Sequence, residues 1–280
     1  GMVVLQAESE VASINMVYGA AGAGKKAMTS SSSPGISLMQ EGLSYIAGAE
    51  LPCLVVNVVR GGPGLGTIQP SQSDYFQSTK GGGHGDYRLI TLAPSSVQEM
   101  SDFVQLGFDL AFKYRNPAMI QTDGAIGQMM EKVELFETVL RSETQPEWAS
   151  TGKTPDRERN IITSLELQSE RQEKHNLKIQ AKYREIEDNE TRCEKIQCDD
   201  AEYLIVAYGT SARICQKTVQ LAREKGIKLG LLRPITLWPF PKKEIAGLVN
   251  QIKGILSVEM SAGQMIEDIK LAVECKVNVE

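Results

Sequence analysis

The sequence predicts an α/β protein with a parallel sheet, followed by a second, smaller α/β unit. Two observations carry this. Over residues 2–140 short β-rich runs alternate with stretches of helical periodicity, the pattern of a parallel sheet covered by helices. After residue 201 a strand–helix–strand pattern begins again, beyond a charged connector. The expected division is 1–140, 141–200 as a linker with a charged helix, and 201–280.

Val3-Val4-Leu5 reads as the start of a strand. Glu10 to Lys26 carries small and apolar residues at helical spacing, and Ile36 to Gly48 does likewise. Between them Thr29 to Gly35 (TSSSSPG) reads as a loop. Leu54 to Val59 (LVVNVV), Leu89 to Leu92 and Ala118 to Thr122 are buried strands, each bounded by Gly, Pro or Asp. Ser96 to Tyr114 is an amphipathic helix with Val97, Met100, Val104, Phe108 and Ala111 on one face, and Ser95 or Ser96 with Glu99 resembles a capping box. From Gln145 the chain turns Pro- and charge-rich, with a charged helix around Glu166 to Glu190. Tyr203 to Ala207, Leu229 to Arg233 and Ile255 to Val258 are the later strands. They flank a helix from Ser211 to Lys225, closed by Gly226, and precede one from Gly263 to Val273.

A net charge of -5 argues against a nucleic-acid surface, which needs clustered Lys and Arg. No run approaches the about 18 apolar residues of a membrane span, and the five scattered cysteines suit a reducing cytoplasm. A soluble cytoplasmic protein is expected.

Four places hold residues that could carry chemistry. Glu10 stands at an expected strand-to-helix junction among small residues, where a carboxylate reaches the carboxyl edge of a sheet; it also reads as an ordinary first-turn helix acid. Ser33, Pro34 and Gly35 end a hydroxyl-rich loop before a helix start, which offers N–H and O–H donors or simply a turn. Arg60 leaves the LVVNVV strand into Gly61-Gly62-Pro63-Gly64, placed to grip a small organic acid or to form a surface ion pair. His84, one of two histidines, lies in the loop Gly81 to Asp86, where it could bind substrate or merely order the loop.

The absences narrow the field. Ala21-Gly22-Ala23-Gly24-Lys25-Lys26 lacks the spacing and final hydroxyl of a phosphate-binding loop, and Tyr208-Gly209-Thr210-Ser211 has too few glycines for a dinucleotide fingerprint. There is no cysteine cluster for an iron–sulfur centre, no metal-diphosphate signature, and no metal site is expected on this chain.

Gln6 to Asn15, Ser32-Ser33-Pro34-Gly35-Ile36-Ser37-Leu38-Met39, Arg60-Gly61-Gly62-Pro63 and His84-Gly85-Asp86, in that order, resemble the α-type subunit of 2-oxoacid:ferredoxin oxidoreductases, closest to the branched-chain 2-oxoisovalerate (3-methyl-2-oxobutanoate) type. The resemblance implies a pyrimidine-type thiamine-diphosphate-binding domain over 1–140 and a transketolase C-terminal-like domain over 201–280. It implies that Glu10 hydrogen-bonds the aminopyrimidine of thiamine diphosphate, that Ser33, Pro34 and Gly35 line the cofactor, and that Arg60 and His84 meet the substrate. It also implies oxidative decarboxylation of a 2-oxoacid to an acyl-coenzyme A with electrons passed to ferredoxin. Partner subunits follow too: a β-type subunit with the diphosphate and magnesium site, a ferredoxin-like subunit with the iron–sulfur clusters, and a γ-type subunit. The family's opening Gly-Tyr-Pro-Ile-Thr-Pro-like segment would precede Val3, and the usual C-terminus would lie past Glu280, so both ends are expected to be truncated and the chain inactive alone. Two other readings stay open: a non-catalytic assembly subunit of such a complex, and half of another thiamine-dependent transferase.

Overall fold

The computed structural model describes residues 2–136 and 145–280. The expected boundary at 140/141 lies outside them. The first half runs α1 (Glu10–Gly22), β1 (Met28–Ser31), α2 (Ser33–Gly48), β2 (Leu54–Val59), α3 (Tyr75–Thr79), β3 (Ile90–Leu92), α4 (Val97–Tyr114), β4 (Ala118–Asp123) and α5 (Gly124–Gln128). After the connecting α6 (Ser169–Asn189) come β5 (Cys193–Ile196), β6 (Tyr203–Ala207), α7 (Gly209–Glu224), β7 (Leu229–Pro234), β8 (Thr236–Trp238), α8 (Lys242–Ala246), β9 (Gly254–Val258), α9 (Met265–Val273) and β10 (Asn278–Val279).

Among the described residues these strands form two sheets. One has the order β1-β2-β4-β3-β8, the other β10-β9-β6-β7-β5. Pairing is parallel except at one edge of each, where β8 runs antiparallel to β3 and β5 antiparallel to β7. The apolar run of β2 has the composition of a strand covered on both faces. Leu54 and Val56 join Phe103, Phe108 and Ile120 under α4, while Val55 joins Ile14, Ile36, Leu43 and Met119 under α1 and α2. The charged α6 docks through Ile179, Tyr183 and Ile186, spaced i, i+4, i+7, with Tyr183 edge-on to Trp238 at 5.4 Å. Its polar flank is tied down where Lys182 Nζ donates to Glu50 Oε1 (3.3 Å) and the carbonyl of Arg115 (3.1 Å), and His175 Nε2 meets the carbonyl of Gly48 at 2.7 Å.

Three local expectations are corrected. Val3 to Leu5 form no strand and are exposed, because β-branched residues favour a pleated, half-buried surface and these lie outside the sheet. Met28 to Ser31 is an edge strand, not a loop, and α2 begins two residues after it ends. The first helix stops at Gly22 rather than Lys26; the turn needs Gly24 at φ +74, where a Cβ would sit 2.8 Å from Ala149 and 2.9 Å from Pro146. The expected face of α4 packs as read, with Phe108 and Ala111 in the core and Met100 and Val104 half-buried against it, and Phe103, Gly107, Leu110 and Tyr114 are buried beside them; the first turn also meets a polar seam. Both serines there are used: Ser96 Oγ accepts from the Glu99 N–H (3.1 Å), and Glu99 Oε2 accepts from the Ser95 N–H (2.7 Å).

That seam joins the two sheets. Gln72 donates from Nε2 to the Tyr208 carbonyl (2.9 Å), and its Oε1 accepts from Ser211 Oγ (2.8 Å) and the Met260 N–H (2.9 Å). Tyr75 donates to Asp268 at 2.7 Å. Arg233, 3% exposed, forks onto Glu99 at 2.7 and 2.9 Å and reaches Glu194 at 2.8 Å. Burial pushes the Glu99 carboxyl up, but the Arg233 guanidinium and the Ser95 donors outweigh it and hold the carboxyl below the usual carboxylate range. A carboxyl held low in the folded state stabilises above its unfolded pKa and loses that contribution as pH falls through the folded value. Arg233→Met is expected to cost about 3 kcal/mol at neutral pH, the scale of breaking a buried pair. In urea unfolding the gap between wild type and variant should narrow as pH drops below about 4.3, and a gap independent of pH would show that the carboxylates are not its source.

Candidate active site

Glu10 opens α1, behind Ser9, whose Oγ accepts from the Ala12 N–H at 3.2 Å. Residues 2–9 carry no strand, so the expected strand-to-helix junction is a coil-to-helix one. The Glu10 carboxylate turns toward the end of β1, where Ser31 Oγ donates to its Oε1 at 3.5 Å, a long bond. Gly35, on the first turn of α2, makes that position possible. A Cβ there would lie 2.0 Å from Ser31 Oγ and 2.7 Å from Glu10 Oε1. One turn deeper, Ser13 Oγ and Thr29 Oγ1 share a 2.6 Å hydrogen bond that ties α1 to β1. The contact repeats at Gly42, where a Cβ would meet Ile14 at 2.6 Å.

Arg60 follows β2 directly and reaches the same carboxyl edge, since Ser31 is in register with Asn57. Its main chain is held by Ser33, whose Oγ accepts from the Arg60 N–H (3.2 Å) and donates to the Arg60 carbonyl (3.3 Å). Arg60 Nε is buried and finds no partner among the described residues. The structure thus brings Glu10, Ser33, Pro34, Gly35 and Arg60 to one edge. The donors expected of the serine-proline-glycine turn are largely spent: the Ser33 hydroxyl is committed to Arg60, Pro34 has no N–H, and the Gly35 N–H bonds the Ser32 carbonyl at 2.7 Å. What this turn supplies is the room that the Glu10 carboxylate and the Ser31 hydroxyl fill.

His84 is not brought to this edge. It is exposed, with Nδ1 at 3.3 Å from Ser44 Oγ and its ring edge-on to Tyr45. Ser44 lies nine residues along α2 from Gly35, roughly 13 Å at 1.5 Å per residue. The structure adds polar residues that the sequence reading passed over. Asn57 and Gln121, register partners on β2 and β4, are buried side by side; Asn57 Nδ2 donates to Asp74 (3.0 Å) and Gln121 Nε2 to Tyr208 (3.4 Å). A polar residue at the same level of two apolar strand runs, LVVN and AMIQ, was the available signal. Among the described residues no three His, Cys, Asp or Glu side chains gather as for a metal.

The half-buried Glu10 carboxylate, packed with Ser31 into the space Gly35 leaves, and the Arg60 guanidinium, whose Nε finds no partner among the described residues, place an acceptor and a cation at one sheet edge. Residues 1–197 match the family described as pyruvate flavodoxin/ferredoxin oxidoreductase, thiamine diphosphate-binding, and residues 201–280 match pyruvate:ferredoxin oxidoreductase core domain II. The chain belongs to the 2-oxoacid:ferredoxin oxidoreductase family. It is 51% identical over 276 residues to the ketoisovalerate oxidoreductase subunit VorB of Methanothermobacter thermautotrophicus, covering 99% of this chain and 78% of that one. The 2-oxoglutarate synthase subunit KorA of the same organism is 34% identical over 306 residues, covering 100% and 81%. Among solved structures, the 2-oxoglutarate:ferredoxin oxidoreductase from Magnetococcus marinus, with 2-oxoglutarate, coenzyme A and succinyl-coenzyme A bound, superposes with a TM-score of 0.83 at 28% identity. The match covers 99% of this chain and 54% of that one, so the chain spans about half the length of that oxidoreductase chain. The expected α/β class and the family resemblance both stand. No helix among the described residues is long and apolar enough to cross a membrane.

Because a methyl at Gly35 would displace the Glu10 carboxylate, Gly35→Ala in the assembled oxidoreductase should weaken thiamine diphosphate binding at least tenfold by titration calorimetry. Thermal unfolding should move by only a few degrees. Unchanged cofactor affinity would separate the Gly35 gap from cofactor binding.

Proposed function

We propose that this chain is the α-type subunit of a thiamine-diphosphate-dependent 2-oxoacid:ferredoxin oxidoreductase. The observation that carries the proposal is the Glu10 carboxylate held in the Gly35 gap at the sheet's carboxyl edge, within a domain matching a thiamine diphosphate-binding family. In this reading residues 1–140 form the pyrimidine-binding domain, 141–200 the linker and 201–280 the transketolase C-terminal-like domain.

The overall reaction converts a 2-oxoacid and coenzyme A to acyl-coenzyme A, carbon dioxide, one proton and two electrons, and two ferredoxin equivalents take the electrons. Thiamine diphosphate, when bound, supplies the carbon nucleophile that adds to the oxo group and accepts the electron pair released with carbon dioxide. With the cofactor bound, Glu10 would hold a proton shared with a ring nitrogen of the aminopyrimidine, the acid–base role this reading gives it. Ser31, its hydrogen-bond partner, orients the carboxylate. Arg60 pairs with the substrate carboxylate, and Ser33 fixes the Arg60 main chain so that the guanidinium emerges at one place. His84, held at Ser44, takes no part in this chemistry.

Magnesium and the diphosphate would be held by a β-type partner subunit and the iron–sulfur clusters by a ferredoxin-like one, with a γ-type subunit completing the complex. Branched-chain 2-oxoacids are the proposed substrates, supported by similarity to the ketoisovalerate oxidoreductase subunit.

Dye reduction by the chain assembled with its partners tests the proposal. Glu10→Gln is expected to lower kcat by at least about a hundredfold, the scale of losing an acid–base group. Arg60→Ala should act mainly on the KM for the 2-oxoacid and leave the KM for coenzyme A in place. Full turnover by Glu10→Gln would instead favour an assembly role for this chain.

A further inference from the structure

Beside Arg60 the carboxyl edge of the first sheet carries a hollow of about 280 Å³ that the chemistry above leaves unused. Its walls are Ile68, Gln69 and Pro70, from the loop after β2, and Ala125, Gln128 and Met129 from the end of β4 onward. Both walls are tied to the site. Pro70 forms an isolated antiparallel bridge with Arg60, and the Gly61 N–H donates to the Gln69 carbonyl at 3.0 Å, so the returning loop lies against the Arg60 main chain. On the other side Asp123 ends β4 in register with Val59, and its Oδ1 accepts from the N–H groups of Ala125 (2.8 Å) and Ile126 (3.3 Å). That cap starts α5 level with Arg60. A Cβ on Gly127 would lie 3.9 Å from Val58 Cγ1, so α5 covers the sheet face of Val58, the face Arg60 shares by strand alternation.

We infer that this hollow receives the hydrocarbon side chain of the 2-oxoacid, with Arg60 holding the carboxylate at its mouth. The inference rests on the functional reading above and adds the residues that select the substrate. Its size lies near the lower end for small-molecule sites, roughly 300 Å³, ample for a branched chain of three or four carbons. Its lining mixes the apolar side chains of Ile68, Pro70, Ala125 and Met129 with two neutral amides and main chain, polar and apolar surface in similar measure, and none of the lining residues is charged. Ile68 is 76% exposed, an apolar side chain available to a ligand. A second carboxylate, as in 2-oxoglutarate, would enter without a cation to pair with, and that desolvation disfavours it. Ala125 sets the depth, and the flexible thioether of Met129 accommodates branching. The larger hollow of the chain, about 690 Å³, runs along α6 between Glu166 and Gln180 and touches none of the site residues.

The assembled complex is assayed with pyruvate, 3-methyl-2-oxobutanoate, 4-methyl-2-oxopentanoate and 2-oxoglutarate. Ala125→Phe should lower kcat/KM for 3-methyl-2-oxobutanoate relative to pyruvate by at least about tenfold, the discrimination one to two methylenes command, with the change carried by KM. Met129→Ala, which deepens the hollow and decides the question should the larger side chain prevent folding, should raise the preference for 4-methyl-2-oxopentanoate over 3-methyl-2-oxobutanoate several-fold. Selectivity unchanged in the variants of an active complex overturns the subsite and leaves the function standing. A wild-type complex that turns over none of the four acids overturns both.

Discussion

The distance between α1 and α2 is set by two glycines. Gly35 and Gly42 lie seven residues apart on one face of α2, and each leaves room for a side chain of α1, the carboxylate of Glu10 at the first and Ile14 at the second. With any larger residue the helices would have to part, and Glu10 would move away from the end of β1. The apolar contact and the functional one are therefore the same contact seen at two levels: Ile14 against Gly42 holds the helix pair, and the helix pair places the acid. Ser13 with Thr29 and Ser31 with Glu10 then anchor α1 to the first strand.

The second half of the chain holds the floor of that edge. The loop after β2 passes from Arg60 to Gln72, and Gln72 is fixed by Tyr208, Ser211 and Met260 of the other sheet. Burial pushes the phenols of Tyr75 and Tyr208 well above their ordinary range, so both remain hydroxyls that donate, Tyr75 to Asp268 and Tyr208 to the Gln72 carbonyl. A seam of satisfied polar groups specifies one docking geometry where an apolar interface would tolerate sliding. The position of the arginine's loop thus depends on residues more than a hundred positions away in sequence.

Most of this architecture was legible in the sequence because periodicity reports which side of an element meets the core. LVVNVV, AMIQTD and YLIVA declare strands covered on both faces, and the helices of 36–48, 96–114 and 211–225 declare themselves by spacing and caps. The misplaced strands share one cause, a dependence on partners. Met28 to Ser31 is a strand only because β2 lies beside it, and Thr236 to Trp238, three residues between Pro234 and Pro239, is a strand only because β3 offers an edge. Val3 to Leu5 has the propensity without the edge. The shared edge of Glu10 and Arg60 was legible in part, Glu10 from a helix start and Arg60 from the end of LVVNVV, while the strand expected before Glu10 is absent. That Ser33 serves Arg60, and that His84 sits beside Ser44, depends on where separate elements meet, which no local pattern encodes.

The placement of β8 bears on how the protein can be divided. The two family matches meet between residues 197 and 201, which invites expression of each half alone. Yet β8, from the second half, closes the outer edge of the first sheet against β3, and Trp238 packs on Tyr183 of the linking helix. A fragment ending near residue 197 would carry β3 with its backbone donors and acceptors open to any passing strand, a template for self-association. The reciprocal fragment would expose an indole shaped for a surface it no longer has. The two halves are modules of ancestry, but they are one unit of solubility.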